Sequence, residues 1–173
     1  MDDQFKKLIP RSKIDLKIRQ IAKEISKDYK GKKLVLVGVL KGSFVFLADL
    51  IRNINIPIEL DFVQVSSYGA SRVSSGVIKI KKDIDLPIIG KDVLIIEDII
   101  DFGYTMDYLI KFLSHKKPKS IKVCALLDKP SRRKVKVPIA YCGFRVPDEF
   151  IVGYGLDLSE KYRNLPDIKS IGR

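Results

Sequence analysis

Three acidic residues in the middle of the chain have the spacing of a ligand site. The apolar run 93–96 leads into the adjacent acids Glu97 and Asp98, and Asp101 follows after two more apolar residues. Two neighbouring carboxylates supply hard oxygen atoms, which suit a pair of sugar hydroxyls or a hydrated magnesium ion. Asp101 would lie beside them, close to any reaction at the sugar. The spacing therefore indicates a sugar site, with or without a divalent cation.

A turn that could hold a phosphate comes directly after these acids. Gly103 lets the backbone approach a ligand closely, and an amphipathic segment begins at the next residue. The backbone N–H groups of residues 102–105 would then point out of a helix N-terminus, where an anion is stabilised. A phosphate monoester fits this arrangement. The alternative is a core strand whose acids only cap a helix, and the isolated pattern favours that alternative by roughly two to one.

These residues can act together only if a strand and a helix position them. The run 93–96 is typical of a buried strand. After the glycine, apolar residues recur at helical spacing, and they are Met106, Leu109, Ile110 and Leu113. We therefore expect a helix from Tyr104 to Leu113. In open α/β sheets, ligands bind at the carboxyl ends of the strands, which is where the acids lie.

The rest of the chain alternates between the two kinds of pattern. Short apolar runs predict strands at 34–40, 58–66, 121–127 and 140–144, and helical stripes predict helices at about 12–30 and 44–51. This alternation predicts an α/β fold with a mainly parallel central sheet flanked by helices. A length of 173 residues fits one domain over 1–173.

Two other strand ends carry a cation. Lys41 and Gly42 follow the strand at 34–40, and a Lys-Gly turn before a helix can bind a pyrophosphate, although such turns are common. Lys129 follows the strand at 121–127, and an ion pair with Asp128 is a simple explanation for it. Neither motif is specific by itself.

A long polar segment at 67–84 contains two glycines, several serines and several lysines. Loops of this length in a compact domain are often lids over an active site. A surface loop without a role is the alternative, and the sequence leaves the two interpretations nearly even.

Composition bounds the partners and the compartment. The formal net charge of +12 favours polyanionic partners, which include nucleic acid and small polyphosphates. Cys124 and Cys142 form no disulfide framework or metal-ligand cluster, so we expect buried thiols in a reducing cytoplasm. The first residues lack the apolar region of a signal peptide, and no apolar run approaches the roughly 18 residues of a membrane span. We expect a cytoplasmic protein without a membrane partner.

The string Glu-Asp-x-x-Asp-x-Gly-x-Thr at 97–105 closely resembles the phosphoribosyl pyrophosphate loop of the type I phosphoribosyltransferases, in particular the hypoxanthine-guanine enzymes. Three more segments resemble that family in the same order, so the similarity covers about residues 10–170. They are Val-Leu-Lys-Gly-Ser at 39–43, Leu-Leu-Asp-Lys-Pro-Ser at 126–131, and the stretch from Val146 to Pro166. The resemblance implies the type I phosphoribosyltransferase fold, with a small hood built from about 1–12 and 145–173.

The resemblance also implies an activity in purine salvage. The 5-phosphoribosyl group of phosphoribosyl pyrophosphate would be transferred to hypoxanthine or guanine, giving IMP or GMP and pyrophosphate, with Mg²⁺ as cofactor. The family is usually a homodimer or homotetramer. Two alternatives remain, namely an RNA-binding regulator with this fold and a xanthine-preferring enzyme. The residues Asp101, Lys129 and Phe150 argue against nucleic acid as a partner, because an RNA-binding protein needs no base pocket with a general base.

The resemblance assigns roles to individual residues. The ribose and its 5′-phosphate would be bound by Glu97, Asp98, Asp101, Phe102, Gly103, Tyr104 and Thr105. The pyrophosphate would be bound by Lys41, Gly42 and Arg163, after a cis Leu40–Lys41 peptide bond. The purine end would be formed by Lys129, Phe150, Ile151 and Asp157. Metal ions would be held by Glu97, Asp98 and, through water, Asp157, while Ser67 and Tyr68 would belong to a mobile loop at 67–84.

Three of these roles concern the reaction itself. Asp101 would be the general base that takes the proton from the purine N7. Lys129 would donate to the purine 6-oxo group, because an ammonium has only donors and would leave a 6-amino group unsatisfied. Phe102 stands where the family has Thr or Ser, whose hydroxyl binds the phosphate. We therefore expect a phosphate site weaker by ~1–3 kcal/mol, with function retained.

Overall fold

The computed structural model describes residues 5–67 and 78–171. The strands are β1 (Phe5–Ile9), β2 (Leu34–Leu40), β3 (Glu59–Ser67), β4 (Ile78–Lys82), β5 (Asp92–Ile100), β6 (Ser120–Asp128), β7 (Ile139–Arg145), β8 (Phe150–Val152) and β9 (Ile168–Ile171). The helices are α1 (Arg11–Asp28), α2 (Phe44–Ile51) and α3 (Tyr104–Ser114), and a short 3-10 helix spans Pro130–Arg132.

The central sheet has six strands in the order β4-β3-β2-β5-β6-β7. All neighbours are parallel except β4, which is antiparallel to β3 at the edge. The predicted α/β fold with a mainly parallel sheet is confirmed. The inner strands β2 and β5 are apolar almost throughout, because helices α1 and α2 cover one face of the sheet and α3 covers the other. Their carboxyl ends therefore lie side by side at one edge of the sheet.

Helix α1 packs through a single apolar stripe. Ile14, Ile18, Ile21 and Ile25 recur at helical spacing and are all buried. The helix ends where the Tyr29 N–H donates to the Ile25 carbonyl at 3.0 Å. Its observed limits differ by one or two residues from the predicted 12–30.

A second, three-stranded antiparallel sheet is built from both ends of the chain, in the order β1-β9-β8. Asp167 ties it to the start of α1, because its carboxylate accepts the Arg11 N–H at 2.8 Å and pairs with the Lys7 ammonium at 2.7 Å. These strands come from the two segments that the family resemblance assigns to the hood. After β8 the backbone packs on the turn that follows β2, since a Cβ added at Gly155 would lie 2.3 Å from the Gly42 carbonyl oxygen.

The predicted loop at 67–84 is only partly described. Ser67 ends β3 and pairs with Ile78 of β4, so the segment begins and ends as an antiparallel hairpin. The Asp61 carboxylate fastens the base of this hairpin by accepting the N–H groups of Asp85 and Leu86 at 2.6 and 2.7 Å. Tyr68 lies outside the described residues, so its assignment stays a prediction.

The prediction of two buried thiols is only half right. Cys124 is buried on β6, but Cys142 is exposed. Cys142 lies on β7, the edge strand, where buried and exposed residues alternate, so only one face of that strand packs on the core. Within residues 5–67 and 78–171, no helix combines the length and apolar character that crossing a membrane requires.

Candidate functional site

The two predicted acids end the buried part of β5. Glu97 is only 8% exposed and follows the fully buried Ile96. The Asp98 N–H donates to the Glu97 carboxylate at 3.2 Å, and the Ile99 N–H donates to the Asp98 carboxylate at 2.8 Å. Burial, and then the neighbouring charge of Asp98, raise the pKa of Glu97 well above its usual range. A cation or hydroxyl donors placed here would therefore be strongly favoured.

The turn after β2 touches the same carboxylates. The Leu40–Lys41 peptide bond is cis, as the family resemblance implies. A Cβ added at Gly42 would lie 1.7 Å from Oδ2 of Asp98, so the backbone of this turn rests directly on that carboxylate. Only glycine leaves room for this contact. The end of β2 and the end of β5 thus form one continuous surface.

Lys41 and Arg163 meet on a third residue that the sequence did not single out. The Lys41 ammonium and Nη2 of Arg163 each lie 3.1 Å from the same oxygen, Oε2 of Glu160. Hydrogen bonds from these two cations lower the pKa of Glu160. Glu160 comes three residues before Arg163, a spacing typical of a local ion pair. Two of the three predicted pyrophosphate ligands, Lys41 and Arg163, are therefore brought together around the Glu160 carboxylate.

Arg163 is fixed by further contacts. Its Nη1 donates to the Gly155 carbonyl at 2.8 Å, and its Nη2 lies 3.0 Å from Oδ1 of Asp157. Asp157 also accepts the Glu160 N–H at 2.8 Å. Asp157 is thus placed directly against the Arg163 guanidinium. Among residues 5–67 and 78–171, no three His, Cys, Asp or Glu side chains are grouped closely enough to hold a metal ion alone.

The predicted phosphate turn begins α3. Gly103 precedes the helix with a φ of +95°, and a Cβ there would lie 2.6 Å from the Val135 carbonyl oxygen. The Phe102 carbonyl accepts the N–H groups of Lys134 and Val135 at 2.9 and 3.1 Å. The first N–H groups of a helix have no partner within it, so those of Tyr104 and Thr105 can bind an anion.

Asp101 lies between the acids and this turn. The Arg132 Nε is 3.1 Å from Oδ1 of Asp101, an ion pair in which the N–H is not aimed as a hydrogen bond. Arg133 donates from Nε to the Asp101 backbone carbonyl at 3.0 Å. The two arginines follow directly after the Lys-Pro-Ser motif, and no sequence pattern predicts a role for either of them.

Lys129, which follows β6, contacts the chain directly before β8. The Lys129 ammonium is buried and donates to the Glu149 carbonyl at 2.7 Å, next to Phe150. Burial lowers the pKa of Lys129. Asp128 pairs with Arg133 instead, so the simple explanation of Lys129 as its ion-pair partner is wrong. Phe150 is 52% exposed, whereas Ile151 is buried and pairs with Ser170 in the sheet.

Taken together, the geometry offers hydroxyl or metal ligands, a phosphate turn, a pair of cations and an exposed aromatic ring beside an ammonium. Residues 8–159 match the model of a protein family described as "Phosphoribosyl transferase domain". The chain belongs to the phosphoribosyltransferase family. Ser67 ends β3, and the other predicted site residues that the structure describes lie at or just after the ends of β2, β5 and β6, at the start of α3, or in β8 and the segment that follows it.

The most similar relatives cover almost the whole chain of this phosphoribosyltransferase. The hypoxanthine-guanine phosphoribosyltransferase of Bacillus subtilis is 50% identical over 166 residues, which are 96% of this chain and 92% of that protein. The hypoxanthine phosphoribosyltransferase of Salmonella typhimurium is 48% identical over 166 residues, with coverages of 95% and 93%. A crystal structure of the Bacillus anthracis hypoxanthine-guanine phosphoribosyltransferase superposes with a TM-score of 0.92 at 49% identity, covering 96% of this chain and 98% of that one.

Proposed function

We propose that this phosphoribosyltransferase acts in purine salvage. It transfers the 5-phosphoribosyl group of phosphoribosyl pyrophosphate to hypoxanthine or guanine, which gives IMP or GMP and pyrophosphate. The observation that carries the proposal is the buried Lys129, whose ammonium donates to the Glu149 carbonyl one residue before the exposed Phe150. The relatives named above are transferases that act on these bases, which favours an enzyme over an RNA-binding regulator.

The base end of the site determines the substrate class. Phe150 offers a half-exposed ring on which a purine can stack. An ammonium can only donate, so Lys129 recognises a 6-oxo group and leaves a 6-amino group without an acceptor. The backbone of Ile151 supplies polar groups to the Watson–Crick edge of the base. A 6-oxopurine satisfies all three residues, and adenine does not.

The acids bind the ribose and fit a magnesium ion. Glu97 and Asp98 are vicinal carboxylates; burial raises the pKa of both, and the charge of Asp98 adds to this effect at Glu97. Mg²⁺ is commonly held by one or two carboxylates together with substrate oxygens, so these two residues suffice when the substrate is present. The ion, when bound, supplies charge neutralisation for the pyrophosphate. Asp157, held beside Arg163, would reach a second ion only through water.

The reaction is a displacement at the anomeric carbon of the ribose. The purine N9 forms the new bond to this carbon while the bond to the pyrophosphate oxygen breaks, and the N7 proton moves to the Asp101 carboxylate. Lys41 and Arg163 stabilise the leaving pyrophosphate. The helix N-terminus at residues 102–105 holds the 5′-phosphate.

Assembly and compartment extend the same proposal. We infer a homodimer or homotetramer in the cytoplasm, where both substrates occur. Sedimentation of the purified protein tests the assembly. The buried Cys124, whose thiol pKa is raised by burial, fits a compartment that keeps thiols reduced.

Nucleotide formation with hypoxanthine, guanine, xanthine and adenine in parallel tests the function. We expect turnover with the first two bases and an almost complete loss in Asp101→Asn. Lys129→Gln should lower kcat/KM for 6-oxopurines by about 10- to 100-fold, because a charged hydrogen bond is lost. Lys136→Gln, which removes an exposed lysine of the same segment, is the matched control. The proposal would be overturned if adenine were the only substrate among the four bases, or if none of the four bases gave turnover.

A further inference from the structure

Phe102 replaces the hydroxyl residue usual in the family, and the structure shows what its ring contacts. The guanidinium carbon of Arg132 lies 4.4 Å from the centroid of the Phe102 ring. A cation this close to an aromatic face is attracted by the negative potential of the ring. The Tyr104 ring flanks Phe102 with a centroid separation of 6.3 Å. The Phe102 ring therefore supports the Arg132 guanidinium through a cation–π contact.

The same guanidinium also contacts the proposed general base. Its Nε is 3.1 Å from Oδ1 of Asp101, and its Nη1 is 3.5 Å from Oδ1 of Asp148. Oδ1 of Asp101 is buried and makes no hydrogen bond with any group in the described part of the chain. The ion pair with Arg132 is thus a direct restraint on that carboxylate.

The backbone around Arg132 is fastened to the loop that carries Asp101. Arg132 ends the short 3-10 helix after Lys129, and the next residue, Arg133, donates to the backbone carbonyls of Ile100 and Asp101 at 3.3 and 3.0 Å. Because the two segments are clamped together, Arg132 reaches Asp101 and Phe102 from a fixed point. Little conformational entropy is then lost when its side chain is held.

We propose that Arg132, held against the Phe102 ring, is a positioning residue for Asp101. The inference rests on the proposed function, because it concerns the base in the proposed reaction. Arg132 engages Oδ1, so the other carboxylate oxygen is presented to the purine N7 proton. When N9 bonds to the anomeric carbon and pyrophosphate leaves, that oxygen gains the proton and Oδ1 keeps its ion pair. Phe102 thereby contributes through Arg132 to catalysis, in a way that a threonine could not.

A double-mutant cycle between Arg132 and Phe102 tests the proposal. Arg132→Gln should lower kcat about 10-fold, because a misplaced catalytic group is costly. Phe102→Leu removes the ring but keeps an apolar side chain, and should lower kcat about 2- to 5-fold, the size of a cation–π contact. In the Arg132→Gln background, Phe102→Leu should cause no further loss. Arg132→Lys and Phe102→Tyr, which keep the charge and the ring, should recover most of kcat.

The kinetic constant that changes separates this role from a phosphate contact. A positioning effect on Asp101 appears in kcat, whereas a lost phosphate contact appears in KM for phosphoribosyl pyrophosphate. Phe102→Thr should therefore lower both constants. It lowers KM because it restores a phosphate-binding hydroxyl, and it lowers kcat because it removes the ring that supports Arg132. Arg19→Gln, on the exposed side of α1, controls for the loss of one positive charge.

Two results would overturn the inference. One is full additivity of the Arg132 and Phe102 changes in kcat, and the other is an effect confined to KM. Thermal melts of each variant show whether it is folded, and Arg132→Met, which keeps the apolar stem but lacks the charge, replaces Arg132→Gln in the cycle if the latter is not folded. Failure of the proposed function looks different, because wild-type protein would then lack turnover or Asp101→Asn would retain it.

Discussion

The carboxylates at the end of β5 are buried against each other, whereas the cations after β2 and β8 share an exposed acid. Burial raises the pKa of both Glu97 and Asp98, and the charge of Asp98 raises the pKa of Glu97 further. Lys41 and Arg163, in contrast, are both neutralised by Glu160, whose side chain is 65% exposed. The acidic pair keeps raised pKa values although the charge of Arg163 acts on Asp98, so a bound cation would add a counter-charge. The cationic pair already has one and must exchange it when pyrophosphate binds.

The acidic and the cationic halves of the site therefore differ in their effect on the stability of the folded protein. Buried carboxylates without a counter-ion lower the stability of the folded protein, and a ligand that supplies a cation recovers that energy. The exposed carboxylate of Glu160 costs little to hold and little to displace, because water solvates it in either position. Binding at the acidic end should therefore be strong and slow to reverse, while release at the cationic end can be fast.

The largest expected effect comes from the point where the two halves touch. Gly42→Ala would place a methyl group 1.7 Å from Oδ2 and 2.5 Å from Cγ of Asp98, so the carboxylate or the turn must move. We expect nucleotide formation to fall by about 100-fold or more, because both the pyrophosphate turn and the acidic pair would shift. Steady-state kinetics measure this loss.

Gly90→Ala is the matched control for that substitution. Gly90 has a φ of +68° and open space around the missing Cβ, so alanine there strains the backbone without touching the site. We expect a lower melting temperature but wild-type turnover of the folded protein. Equal losses of turnover in the two variants would mean that the contact between Gly42 and Asp98 does not matter.

Glu97→Gln sharpens the comparison, because activity and stability should move in opposite directions. Activity should fall about 10- to 100-fold through loss of a ribose and metal ligand. Without ligands, the melting temperature should rise by about 2–6 °C, since a buried charge is removed. Calorimetry of both proteins, with and without magnesium and phosphoribosyl pyrophosphate, measures the difference. A lower melting temperature for Glu97→Gln would contradict a stability cost at the acidic end.

The difference in melting temperature between Glu97→Gln and wild type should depend on pH, because the pKa of Glu97 is raised. The folded protein holds the Glu97 proton more tightly than the unfolded chain does. The stability that this group contributes is therefore fully present below the usual pKa of 4.5 and is lost as pH rises through the folded-state pKa. The excess melting temperature of Glu97→Gln over wild type should thus grow as the pH rises above the usual pKa of 4.5. A gap that shrinks over this range would mean that the pKa of Glu97 is lowered instead.

Local sequence patterns predicted the central strands and the residues at their ends much better than the pairing of the two chain ends. The apolar runs of β2, β5 and β6 announce buried parallel strands, and Glu97, Asp98 and Lys129 follow from where those runs stop. The pairing of β1 with β9 joins residues from opposite ends of the chain, which no local pattern can reveal.

The residues that the sequence missed depend on such distant contacts. Glu160 looks like an ordinary surface acid until the fold brings Lys41 to it across 119 positions. Arg132 belongs to a basic run that a solvated surface would explain equally well. Only the packing of that run on the Asp101–Gly103 turn gives it a role. Cys142 was misjudged because the sequence does not say which strand lies at the edge of the sheet.

Glu160→Gln gives the smallest expected effect and examines the cationic half directly. Glutamine keeps the size of the side chain but no longer neutralises Lys41 and Arg163, so pyrophosphate should inhibit the enzyme about 2- to 5-fold more strongly. The gain should shrink at high salt, because exposed charges are screened. Product-inhibition kinetics at two ionic strengths measure it, and Glu24→Gln on α1 controls for the change in net charge. Unchanged or weaker inhibition would mean that Glu160 orients the two cations rather than competing with pyrophosphate, and the exposed acid would then belong to the binding site itself.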